Sequence, residues 1–101
     1  MQGHVDGVGE VVSIRRTEDG SAWITVRAPG SIGRYLVDRG SVCVDGVSLT
    51  IAARDEETFG VALIPHTLEV TTLGSAEVGD PVNLEVDVIA KYVEALLEGR
   101  S

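Results

Sequence analysis

The chain predicts an all-β fold: a six-stranded antiparallel Greek-key barrel with short capping helices and a C-terminal helix. Short segments in which apolar and polar residues alternate at period two are separated by glycine-bearing turns. Only at the end does the apolar period change to that of a helix. Closure is expected because an open sheet of six short strands would leave two unpaired edges on a small domain.

Residues 3–15 read as a long first strand, in which Val5, Val11, Val12 and Ile14 favour extended backbone while Gly7 and Gly9 invite a bulge or bend. Glu18-Asp19-Gly20 turns the chain. Residues 22–28 alternate Trp23, Thr25 and Arg27 against Ile24 and Val26, a half-buried second strand that pairs with the first as a hairpin. Pro29-Gly30 ends it, and Ser31 can cap a short helix through Ile32, Tyr35, Leu36 and Val37 that stops at Arg39-Gly40 and plugs one barrel end.

A second hairpin is expected from residues 41–44 and 48–53 across Asp45-Gly46, where glycine supplies the positive φ of a tight turn. Residues 58–64 form a fifth strand. Pro65 halts it and suits the first position of a helical turn over residues 66–72, ending before Gly74. Residues 81–88 form the sixth strand, with Val82, Leu84, Val86 and Val88 facing one way and Asn83, Glu85 and Asp87 the other. Ile89, Tyr92, Val93, Leu96 and Leu97 then make the apolar stripe of a terminal helix over about residues 89–98, closed by Gly99; its acidic residues are a solvated face.

The 101 residues are read as one domain, without repeat or linker. Sixteen acidic against eight basic residues give a net charge of −8, which disfavours phosphate backbones and anionic lipid, so neither nucleic acid nor membrane is an expected partner. A single Cys43 allows no internal disulfide and no four-ligand zinc site, so no metal is expected and the compartment reads as reducing and cytoplasmic. No apolar run approaches the roughly 20 residues that span a bilayer, and no secretory pattern opens the chain.

Polar groups gather at strand ends in two stretches, 44–50 and 63–69. Ser48 and Thr50 are two apart and share a strand face, while Leu49 points to the other, so one face can bind and the other pack. Ala62 and Ile64 share a face in the same way, with backbone groups available to ring amides. Asp45 before glycine reads first as turn chemistry. Cys43, between Val42 and Val44, reads as a small core hydrophobe. Trp23 is expected to be partly exposed or at an interface.

Six motifs occur in order: Gly3-His4-Val5-Asp6-Gly7, Asp45-Gly46-Val47-Ser48-Leu49-Thr50, Ile64-Pro65-His66-Thr67-Leu68, Thr72-Leu73-Gly74, Val82-Asn83-Leu84-Glu85 and Lys91-Tyr92. By these the chain resembles the C-terminal half of riboflavin synthase, over nearly its whole length. The resemblance implies a lumazine-binding barrel, one of two in an enzyme that dismutates two molecules of 6,7-dimethyl-8-ribityllumazine to riboflavin and 5-amino-6-ribitylaminouracil without a cofactor. It implies as partners those two ligands, the missing N-terminal barrel, and further copies in a homo-oligomer, a trimer in the parent enzyme. Ser48 stands where the N-terminal copy often carries a cysteine, which marks this as the C-terminal copy.

Matched residue by residue, the resemblance implies a substrate site of Gly3, His4, Val5, Arg39, Ser48, Leu49, Thr50, Ala62, Leu63, Ile64, Pro65, His66 and Thr67. Arg39 stands where lysine is commoner, and His4 and Ser48 are the candidate catalytic pair. His4 keeps two readings, proton shuttle and structural, because alternation sets it opposite Val5 and both cannot face one pocket on a flat strand. His66 orders the turn or touches the ribityl chain. The isolated half is expected to bind ligand with little or no turnover. The alternative from another class is a non-catalytic lumazine or flavin carrier of the antenna type; an interaction domain with an empty pocket is the third reading.

Overall fold

The computed structural model describes residues 5–33, 36, 40–86 and 96. Six strands are present: β1 (Gly7–Arg16), β2 (Ala22–Arg27), β3 (Ser41–Val44), β4 (Val47–Arg54), β5 (Thr58–Leu63) and β6 (Pro81–Val86). They close into an antiparallel barrel in the order β1-β2-β5-β4-β3-β6. The meander β3-β4-β5 is joined to β2 by the connection over the barrel end, so β2 lies beside β5, a Greek-key arrangement. Gly3, His4, Tyr35, Val37, Arg39, Asp87, Val88 and nearly all of the helix expected over residues 89–98 lie outside the described residues, as does the side chain of Ser31.

Period-two alternation became inside and outside. In β2 the buried residues are Ala22, Ile24 and Val26, with Trp23 and Thr25 half-buried between them. The barrel is filled by one apolar cluster that includes Phe59, Ile24, Ile51, Leu63, Leu84 and Val11, each at most 2% exposed. Burying such a side chain contributes roughly 1.5–3 kcal/mol, which is what holds a domain of this size without a disulfide.

Three local expectations are corrected. Gly7 and Gly9 do not mark the registered bulge of β1, which falls between Val11 and Ser13. Gly9 instead permits close approach, since a Cβ there would stand 2.7 Å from the Arg27 carbonyl oxygen and 2.8 Å from Leu84 Cδ1. Cys43 is not a core residue: Val42 and Val44 take the inner face, at 1% and 2% exposed, and the thiol lies half-buried on the outer one. Glu85, placed on the polar face of β6, is nevertheless buried at 8% exposed because neighbouring structure covers that part of the barrel wall.

The connections carry the site. α1 (Gly30–Gly33) opens with Ile32 and Gly33 N–H donating to the Pro29 carbonyl at 3.0 Å each, and Ile32 and Leu36 plug the barrel end. Part-buried Arg54 fastens this segment: its Nε donates to Leu36 O (3.0 Å), Nη2 to Gly33 O (2.9 Å) and Nη1 to Thr58 O (3.2 Å). α2 (Pro65–Val70) starts on proline, whose missing N–H costs nothing in a first helical turn. A 3₁₀ turn (Thr72–Ser75) follows, so the helical segment ends in two pieces and drives Leu73 into the core.

Candidate functional site

The outer barrel face over β6, β3, β4 and β5 brings the predicted polar residues together. Asp45 (φ 49) and Gly46 (φ 84) both take positive φ in the two-residue turn between β3 and β4, the backbone that aspartate and glycine tolerate best. That turn sets Cys43 opposite Ser48 and Ser41 opposite Thr50. On its other side Cys43 stands opposite Glu85. One outer row therefore reads Glu85, Cys43, Ser48.

Main-chain groups add to the row. Ile51 N–H donates to Gly40 O at 2.8 Å, so residues 47, 49 and 51 spend their backbone groups on β3 and those of Ser48 and Thr50 face β5. Ala28 N–H donates to Glu57 O at 2.8 Å, so by the same alternation Ala62 and Ile64 turn theirs toward β4. The β4–β5 register runs only from Arg54↔Phe59 to Ile51↔Val61. Continued, it would set Thr50 opposite Ala62 and Ser48 opposite Ile64. Ile51 and Val61 turn their backbone away from each other, so the bonds of that pair fall on its flanks, Thr50 and Ala62 included; Ser48 and Ile64 lie beyond the registered ladder, and the exposed Ser48 and Thr50 side chains stand on the outer face within reach of a planar ligand.

Beside this edge, an open pocket of about 460 Å³ is lined by Val5, Cys43, Asp45, Gly46, Thr72, Asn83, Leu84 and Glu85. Its size lies within the range of small-molecule sites. Asp45 fixes one wall: its N–H donates to Asn83 O (2.8 Å), and its Oδ1 accepts from Asn83 N (2.7 Å). Val5 forms another wall.

Ser48, Thr50, Ala62, Ile64, Pro65 and His66 are all exposed, and Thr67 is half-buried with its carbonyl accepting the Thr71 hydroxyl at 2.6 Å. Leu63 and Leu49 are corrected as lining residues: Leu63 is 1% exposed in the core and Leu49 packs against it, and the alternation turns the backbone of Leu49 to β3 and that of Leu63 to β2. Gly3, His4 and Arg39 lie outside the described residues. The residues missed were Cys43, Asn83, Glu85 and Thr72. Strand order alone brings Asn83 and Glu85 of β6 to this face, and no spacing in the sequence records that order, whereas Cys43 reaches Ser48 through the Asp45-Gly46 hairpin.

The lumazine binding domain family matches residues 2–87. The chain belongs to the lumazine-binding domain family. Its curated relatives include riboflavin synthases of Mycobacterium tuberculosis (53% identical), Actinobacillus pleuropneumoniae (41%) and Bacillus subtilis (38%), each matched over 96% of this chain. The lumazine-binding domain spans about half the length of these relatives, 49% of the mycobacterial protein and 45% of the other two. Among solved structures, LumP complexed with 6,7-dimethyl-8-(1'-D-ribityl) lumazine is 28% identical with a TM-score of 0.77, covering 85% of this chain and 47% of that one. LumP complexed with riboflavin is 26% identical, also with a TM-score of 0.77, covering 83% and 45%.

Proposed function

We propose that this domain binds 6,7-dimethyl-8-ribityllumazine and riboflavin as the C-terminal half of a riboflavin synthase. The observation that carries the reading is the outer face itself: the exposed side chains of Ser48 and Thr50 share it with a ligand-sized pocket on the adjoining strands β3 and β6. A fused ring with amide donors and acceptors pairs with their hydroxyls by hydrogen bonds, and a polyhydroxylated chain suits the exposed start of α2 at His66 and Thr67.

In the parent reaction a four-carbon unit passes between two lumazines after the 7-methyl group of one loses a proton. Holding two ring systems face to face is most of that task, and positioning of this kind lowers a bimolecular barrier by up to roughly 7–11 kcal/mol. Ser48 and His4 are the candidate catalytic pair, and Arg39 a substrate-binding residue, by the residue-by-residue match to riboflavin synthase. No cofactor enters the scheme; lumazine is substrate and riboflavin is product. The second lumazine comes from an N-terminal barrel, in a homo-oligomer of the cytoplasm. The curated relatives at 38–53% identity, against 26–28% for the LumP structures, favour the enzyme half over a fluorophore carrier.

A fluorescence titration of the purified chain with 6,7-dimethyl-8-ribityllumazine tests the reading. Saturable binding without growth of riboflavin emission is the expected result. Growing emission would mean that two identical barrels assemble a working site, and absence of binding would remove the lumazine site from this domain.

A further inference from the structure

The β1–β6 ladder pairs Gly7 with Leu84, Val8 with Asn83 and Gly9 with Val82. Continued by two steps, it would set Asp6 opposite Glu85 and Val5 opposite Val86 and send Val5 inward, on the side of buried Gly9 and Val11. The chain does something else at Asp6. Its N–H donates to Leu84 O at 2.8 Å, one residue out of that register, and its Oδ2 accepts from Val86 N–H at 2.7 Å. The carboxylate thereby takes the place on β6 that the next strand residue's carbonyl would take. Val5 emerges 51% exposed and lines the pocket with Cys43 and Glu85 on the outer face.

We propose that Asp6 is a positioning residue for the ligand pocket: it ends the ladder at Gly7 and turns the segment bearing Val5 onto the outer face. The inference rests on the pocket being the flavin site and deepens that reading. Asp45 grips the opposite edge of β6 at Asn83 in the same manner, so two aspartates set two pocket walls from one strand.

The test uses the full chain with riboflavin as probe, followed by quenching of flavin fluorescence. Asp6→Leu keeps the volume but offers Val86 no acceptor, whereas Asp6→Asn keeps a carbonyl oxygen at the same reach. Asp6→Leu is expected to weaken riboflavin binding about tenfold, with Asp6→Asn within about threefold of the parent chain. Val26→Ala, a core truncation remote from the pocket, controls for stability: it lowers the melting temperature while the folded chain keeps its affinity. Equal affinity of Asp6→Leu and the parent chain overturns the proposal.

A ligand-free readout separates the two claims. In Asp6→Leu the Val86 amide loses hydrogen-exchange protection or pairs anew with Val5, and nuclear Overhauser contacts from Val5 to the other pocket residues vanish. Persistence of both signals overturns the role of Asp6 even if riboflavin binds. No saturable quenching by the parent chain overturns the flavin site instead, and the Val5 contacts still decide Asp6. If Asp6→Leu does not fold, Asp6→Ala takes its place in both measurements.

Discussion

Ser48 and Thr50 stand on a face that the core does not use, so the binding proposed for them is separate from folding at the level of single atoms. Ser48→Ala and Thr50→Val are each expected to weaken lumazine binding by about 1–3 kcal/mol, because each leaves a ring group without its partner. Stability is expected to change by no more than about 0.5 kcal/mol, since both side chains are exposed. Titration calorimetry beside urea unfolding checks the pair of expectations; unchanged affinity in both variants would place the ligand elsewhere. Asp19 gives a second residue-scale prediction. The Thr17 hydroxyl and the Ser21 N–H, at 3.0 Å, both donate to its Oδ1 and hold its pKa below the ordinary value. A lowered folded pKa contributes stability that is full above the unfolded pKa of about 4 and lost as pH falls through the folded one. Asp19→Asn should therefore flatten the acid limb of the stability curve below about pH 4 and leave its neutral part parallel to that of the parent chain.

At the scale of elements, the barrel's irregular connections do more for the site than its strands. α1 is only four residues long and cannot hold itself together, so Arg54 ties it to the β4–β5 hairpin through three carbonyls on Gly33, Leu36 and Thr58. Lysine cannot reproduce that planar fork. Arg54→Lys is expected to cost about 1–3 kcal/mol by urea denaturation, with amide protection lost first at Ile32 and Leu36. Were the midpoint unchanged, the clamp would be ornamental and the apolar plug of Ile32 and Leu36 sufficient. The β4–β5 pair shows the complementary device: a bulge between Ile51 and Ala53 interrupts the ladder, and the register ends at Ile51↔Val61, short of Ser48 and Ile64 in the proposed site.

For the whole molecule, closure makes the inner face a core and leaves the outer face for the proposed ligand site. A ligand bound only by the folded barrel must stabilise it, by about 2.7 kcal/mol at a hundredfold excess over Kd. Thermal unfolding with and without riboflavin should show that shift in the parent chain, and a smaller one in Thr50→Val at the same riboflavin concentration. An unshifted midpoint at saturating riboflavin would exclude binding to the folded barrel. Strand type, turn positions and the inward and outward halves of β2 and most of β6 were determined by the sequence itself, because period-two alternation and an Asp-Gly turn act over a few residues and need no distant partner. The motif match named Ser48, Thr50, Ala62 and Ile64, and their shared outer placement follows from alternation alone. What only the tertiary structure decided is which strands are neighbours: the β3–β6 and β2–β5 pairings join segments far apart in the chain, and the first of them alone brings Glu85 to Cys43. The step out of register at Asp6 belongs to the same class, because the acceptor that competes for Val86 is a side chain 80 positions away, and local propensity carries no record of a contact whose partner is chosen by closing the barrel.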